Sequence, residues 1–102
     1  MVSELAILDI HPGKEAAFEA AFDEATRFIS AAPGFERLAL RRGVESPNRY
    51  VLLVEWRSIE DHDGFRQSPD FQRLKPLLHH FYASFPTVVE HYETVMRVGG
   101  PA

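Results

Sequence analysis

Residues 12–35 read PGKEAAFEAAFDEATRFISAAPGF, and the fold follows from how this stretch is punctuated. Phe18, Ala21, Phe22, Ala25, Phe28, Ile29 and Ala32 recur at steps of three and four, which predicts a helix with one apolar stripe. Glu15, Glu19, Asp23 and Glu24 fall mostly off that stripe. His11-Pro12-Gly13 breaks the chain before the helix. Pro33-Gly34 stops it, with Gly available for a left-handed cap. The flanks read as strands. Upstream, Val2 to Ile10 sets Leu5 and Ile7 against Ala6, Leu8 and Ile10, so both faces are apolar. Downstream, strands over about Phe35–Gly43 and Arg49–Arg57 meet at the turn Ser46-Pro47-Asn48 as a hairpin. In the second of these Tyr50, Leu52, Val54 and Trp56 share one face, with Val51 and Leu53 on the other.

Ser58-Ile59-Glu60-Asp61 reads as a capping box, opening a short helix to about Gln67 that Ile59 and Phe65 are expected to anchor. Ser68-Pro69-Asp70 starts another, carrying Phe71, Leu74, Leu77, Leu78 and Phe81, with Pro76 inside it as an expected kink or split. A last strand is expected from Thr87 to Val95, and residues 97–102 as a loose tail. The order β-α-β-β-α-α-β is the α+β, ferredoxin-like plan: a four-stranded antiparallel sheet with all helices on one face. Strands apolar on both faces predict a homodimer in which two sheets pack face to face.

Composition narrows the function. A chain of 102 residues is expected to be one domain, residues 1–102, with its core over about 4–95. It has no cysteine, which excludes disulfides, thiolate metal sites and thiol catalysis. Eleven Lys and Arg against fifteen Asp and Glu give a net charge of −4, which argues against nucleic acid as a partner. No apolar run is long enough for a membrane span. The start Met1-Val2-Ser3-Glu4 lacks the pattern of a secretory signal, so a cytoplasmic location is expected.

From about residue 4 to 95 the chain resembles the antibiotic biosynthesis monooxygenase domain family. The resemblance rests on Pro12-Gly13-Lys14-Glu15 with Phe18, Pro33-Gly34-Phe35, Val54-Glu55-Trp56-Arg57-Ser58 running into Glu60-Asp61-His62, Gly64-Phe65-Arg66-Gln67-Ser68 with Phe71, and Glu90-His91-Tyr92. It implies a dimeric α+β barrel with a cavity in each subunit between sheet and helices. It also implies one of several chemistries: cofactor-free oxidation of aromatic polyketides to quinones, haem cleavage, or isomerisation of small metabolites. The haem-degrading members resemble one another in a first-strand Asn and in a Trp and a His around the second helical region. Here the only Asn is Asn48, in a turn, and the matching positions look like Phe65 and Lys75. The leading expectation is therefore oxidation of a planar phenolic or enolic small molecule by molecular oxygen, with no bound cofactor and no metal. An isomerase or aldolase-like enzyme and a non-catalytic ligand-binding dimer are the alternatives.

Such oxidation needs a proton acceptor, a group to steady the resulting anion, and a dry aromatic pocket. His62 and Arg66, spaced i, i+4, share a helix face and are candidates for proton handling and anion stabilisation; otherwise they are surface polar residues in ion pairs. His91 and Tyr92 point to opposite faces of the last strand, so one is expected in the cavity, with His91 the third candidate catalytic residue. Trp56, Phe65, Phe71, Phe81 and Tyr82 are candidate substrate-binding residues or plain core. His79 and His80 are adjacent on a helix and cannot readily share one ion. No glycine-rich nucleotide loop or nucleophile elbow is present.

Overall fold

The structure, a computed structural model, describes residues 1–86 and 88–100. Its elements are β1 (Val2–Asp9), α1 (Glu15–Ser30), β2 (Phe35–Arg42), β3 (Arg49–Trp56), α2 (Ile59–Arg66), α3 (Pro69–Leu78), a 3₁₀ turn (His79–Phe81) and β4 (Val89–Tyr92). The four strands form one antiparallel sheet in the order β2-β3-β1-β4, which is the ferredoxin-like arrangement. The α1 stripe is buried through Phe18, Phe22, Ala25 and Ile29. Ala6, Leu8 and Ile10 from β1 and its end, with Tyr50, Val54 and Trp56 from β3, supply the sheet side of the same core.

Burial along β1 alternates without a break: Glu4, Ala6 and Leu8 are buried, while Leu5 and Ile7 stay half-exposed. Val51 and Leu53 of β3 lie beside them in register, also half-exposed. One sheet face therefore packs under the helices, and the other presents a partly open apolar surface.

Helix starts follow the sequence closely. The Ser58 hydroxyl accepts the Asp61 N–H at 3.2 Å. The return half of the expected capping box differs. The Asp61 carboxylate takes the Arg57 guanidinium at 2.9 and 3.0 Å and the Ser58 hydroxyl at 3.0 Å, because the charged donor is the stronger one. Ile59 is exposed and does not anchor α2. Six residues at roughly 100° each carry it far round the helix from buried Phe65. Ser68 caps α3 by accepting the Phe71 N–H and donates to the Phe65 carbonyl at 2.6 Å, joining α2 to α3. Pro76 does not split α3, which continues to Leu78 before tightening into the 3₁₀ turn.

The last strand is shorter than expected. It ends at Tyr92 opposite Ser3, where β1 itself is about to run out, so residues 93–95 have no strand to pair with. Toward the other end of β1 the edge is occupied by the segment after α3: Ile10 bridges Tyr82, and the Ala83 N–H donates to the Asp9 carbonyl at 2.8 Å. The expected strand start, Thr87, lies outside the described residues, as do residues 101–102 of the expected tail.

Gly34 closes the α1–β2 connection with φ +83°, and a Cβ there would overlap the Asp61 carboxyl group. Gly34→Ala is expected to destabilise the protein by at least ~1–2 kcal/mol, seen as a lower urea midpoint with an unchanged slope.

Candidate active site

The alternation of β1 places an acidic side chain, Glu4, on the core face. Antiparallel pairing sets His91 of β4 directly across from it, and on the other neighbouring strand Trp56 lies two pairs along, on the same face. From above, α2 lowers His62 between them. The Trp56 indole N–H donates to Glu4 Oε1 at 2.9 Å. His62 Nε2 lies 3.2 Å from the same oxygen. On its other side, His62 Nδ1 is 2.7 Å from His91 Nε2. The His62 ring stacks on Trp56 with centroids 5.3 Å apart and an interplanar angle of 17°.

Charge states follow from burial. Loss of water holds the Glu4 carboxyl above its ordinary range, opposed by the Trp56 N–H and by the positive fields of His91 and Arg66. His62 is pulled down to about 4, first by burial and then by His91 and Arg66, so it is neutral at pH 7. With Glu4 ionised, the self-consistent arrangement has His62 Nε2–H turned to the carboxylate and His91 Nε2–H donating to His62 Nδ1.

Glu4 and His62 form the polar end of a cavity of about 220 Å³ between sheet and helices. Arg66, His79 and Tyr82 add further polar groups to its lining. The Tyr82 phenol is pushed up to about 12 by burial and by the Glu4 charge, so it enters the cavity as a neutral donor. Burial, with a smaller effect of Lys75, also lowers His79. Phe65, Phe71, Leu74, Leu78 and Leu52 supply apolar wall, and the exposed Arg66, Phe85 and Val89 mark the rim.

The eight residues singled out from sequence thus divide. His62, Arg66, Trp56, Phe65, Phe71 and Tyr82 line one cavity. His91 touches the cluster from behind His62 without lining the cavity. Phe81 is not on the wall; it packs edge-on against Phe18 at 5.9 Å. Trp56 is fully buried, with His62 on its face and Phe35 against its edge. Of the pair on β4, His91 faces the helix side, whereas Tyr92 is 46% exposed and donates to Glu90 on the other face. Glu4 was missed. Its parity with Ala6, Leu8 and Ile10 is the signal that marks it as an inward carboxylate. Two arginines of the β2–β3 hairpin are engaged elsewhere: Arg49 pairs with Asp9, and Arg42 donates to the Pro47 carbonyl.

The antibiotic biosynthesis monooxygenase family model matches residues 1–76. The crystal structure of a Bordetella bronchiseptica protein carrying the same family name is 38% identical, covers 93% of this chain and 97% of that one, and superposes with a TM-score of 0.89. SnoaB, a cofactor-independent oxygenase from Streptomyces nogalater, is 25% identical over 99% of this chain and 97% of its own, with a TM-score of 0.75. The uncharacterized protein YczJ of Bacillus subtilis (strain 168) is 47% identical over 93% of this chain and the whole of its own.

The neutral, buried His62 carries a pH signature. As pH falls from about 6.5 toward 4, the unfolded chain takes up a proton that folded His62 refuses, so stability falls with pH in this window. Glu4 acts oppositely. As pH rises from its ordinary value to its higher folded one, the folded state keeps a proton that the unfolded chain has lost, and stability falls. Urea midpoints measured from pH 4 to 7 are expected to show a shallower acid-side loss for His62→Gln than for wild type. Parallel curves would mean that His62 is not held neutral.

Proposed function

Because this chain belongs to the antibiotic biosynthesis monooxygenase family, we propose that it is a monooxygenase that oxidises a small planar phenol or enol with molecular oxygen and without a bound cofactor. The observation that carries this reading is one cavity with Glu4 and His62 at its inner end, the Arg66 cation at its rim, and Phe65 and Phe71 in the wall between. The reaction has simple bookkeeping: a phenol with a free para C–H plus O2 gives a quinone plus one water. The substrate first loses its hydroxyl proton to the Glu4–His62–His91 cluster and becomes an electron-rich anion able to reduce oxygen. Arg66 at the rim and the neutral Tyr82 hydroxyl steady that anion. The apolar wall keeps water from the peroxide formed next.

Cavity size sharpens the substrate class. An apolar cavity of about 150 Å³ accepts benzene. A cavity of about 220 Å³ suits one ring with substituents or two fused rings, and leaves most of a four-ring polyketide outside. The probe of choice is 1,5-dihydroxynaphthalene, which keeps a free C–H para to each hydroxyl. Expected is oxygen uptake equal to quinone formed, one to one, with much weaker turnover of four-ring phenols. Saturable binding without oxygen uptake would instead favour a carrier, and carbonyl isomerisation without oxygen an isomerase.

The working unit in this proposal is a homodimer joined through the open sheet faces. Leu5, Ile7, Val51 and Leu53 form a half-exposed apolar patch that a second copy would cover. Light scattering at low micromolar concentration is expected to give twice the chain mass. A single-chain mass would remove the dimer, and Leu53→Glu is expected to produce one.

A further inference from the structure

We propose that Glu4 is the group that takes the substrate's acidic proton, at Oε2, and that His62 is the positioning residue holding Glu4 ready to do so. This rests on the proposed oxidation of a phenol or enol in the same cavity and names the atom at which it begins.

The argument is one of free valences. Both nitrogens of His62 face protein: Nδ1 meets His91 at 2.7 Å, and Nε2 lies against Glu4 Oε1 at 3.2 Å. For the imidazole to take a proton from a ligand, one of these contacts would have to break. Glu4 differs. Its Oε1 is engaged by Trp56 and His62, but its Oε2 accepts no hydrogen bond among the described residues. Nor is there a buried side-chain oxygen or nitrogen left without a partner among those residues. Oε2 therefore has open space beside it, and Glu4 is a wall of the cavity. One oxygen is fixed by two protein groups, and the other is the accessible, unengaged oxygen of a residue that lines the cavity.

The surroundings suit a base that holds its proton briefly. Arg66 and His62 from α2, His91 from β4, the Trp56 N–H from β3, and Tyr82 and His79 around the 3₁₀ turn are the charged or polar groups gathered about Glu4 or its cavity. Among them Arg66 is the one permanent charge. In the step itself the substrate O–H bond breaks, its electron pair stays on the substrate oxygen, and Oε2 gains the proton. The resulting carboxylic acid is uncharged and favoured by burial. When the substrate carbanion has added to oxygen, the peroxide anion takes that proton back and restores the carboxylate.

The test uses 4-nitrophenol as probe, because its ionisation is visible and its binding needs no turnover. Above the dye's own ionisation, placing it beside an ionised Glu4 requires one proton shared between the two oxygens. Wild-type affinity is then expected to fall ~10-fold per pH unit. Glu4→Gln, which keeps the shape and an acceptor for Trp56, is expected to bind with affinity independent of pH in that range. A slope retained in Glu4→Gln would overturn the proposal while leaving the cavity reading intact. No binding by wild type would overturn both. With 1,5-dihydroxynaphthalene, Glu4→Gln is expected to lower kcat ~100-fold or more with little change in KM. His62 is tested by carbon-13 NMR of the Glu4 carboxyl. His62→Leu is expected to move its titration further upward and His62→Gln to bring it back. An unmoved titration in folded His62→Leu would remove the positioning role.

Discussion

The inner end of the cavity is arranged around one buried carboxylate. Glu4 sits on the core face of β1, the inner strand that joins β3 to β4, where an isolated negative charge would be costly to strip of water. The cost is contained by the Trp56 indole N–H and by His62, both on Oε1. Each of those requirements constrains a further residue. Trp56 must present its ring nitrogen to Glu4, and His62 stacks on one of its faces while Phe35 packs against it at near right angles. His62 must stay neutral and keep one nitrogen on Glu4, so its other nitrogen is taken up by His91. The buried polar end of the cavity follows from satisfying a single in-facing side chain.

Holding that cluster falls to a helix too short to be stable alone. An eight-residue α2 has little intrinsic tendency to persist in water. It is fastened at the start by the Ser58 cap and the Arg57–Asp61 pair, and at the end by Ser68 on the Phe65 carbonyl. Between these points Phe65 packs against Trp56 and Phe71. The fastening matters chemically because His62 touches Glu4 and His91 at separations of about 3 Å. A shift of α2 by even one ångström would open one contact or crush the other.

Much of this was legible in the letters, for reasons that differ by element. The α1 stripe, the hairpin turn and the Ser58 and Ser68 starts are local signals, and local signals survive folding here. The i, i+4 spacing of His62 and Arg66 gives them one helix face, and both line the cavity. What escaped depends on partners far along the chain. The length of β4 is set by where β1 ends, which no property of residues 93–95 records. Phe81 shares the apolar rhythm of α3, yet the chain tightens to a 3₁₀ turn before it and turns the ring toward Phe18. Glu4 was hidden differently. Its parity was readable, but a lone acidic residue in an apolar strand draws notice only once Trp56 and His62 are known to converge on it.

The two faces of the sheet carry separable demands, and β1 serves both at once. Its even-numbered residues, Glu4, Ala6 and Leu8, floor the cavity, and its odd-numbered Leu5 and Ile7 form the open side. A one-residue slip of β1 against β3 would bury Leu5 where Glu4 stands and expose the carboxylate. The register is held by side chains at both ends of the pairing: Ser3 donates to Glu55 at one end, and Arg49 grips Asp9 at the other. Those polar contacts contribute little individually at a partly exposed surface. Their consequence is positional, since they fix which parity looks inward, and the chemistry of the cavity depends on that choice.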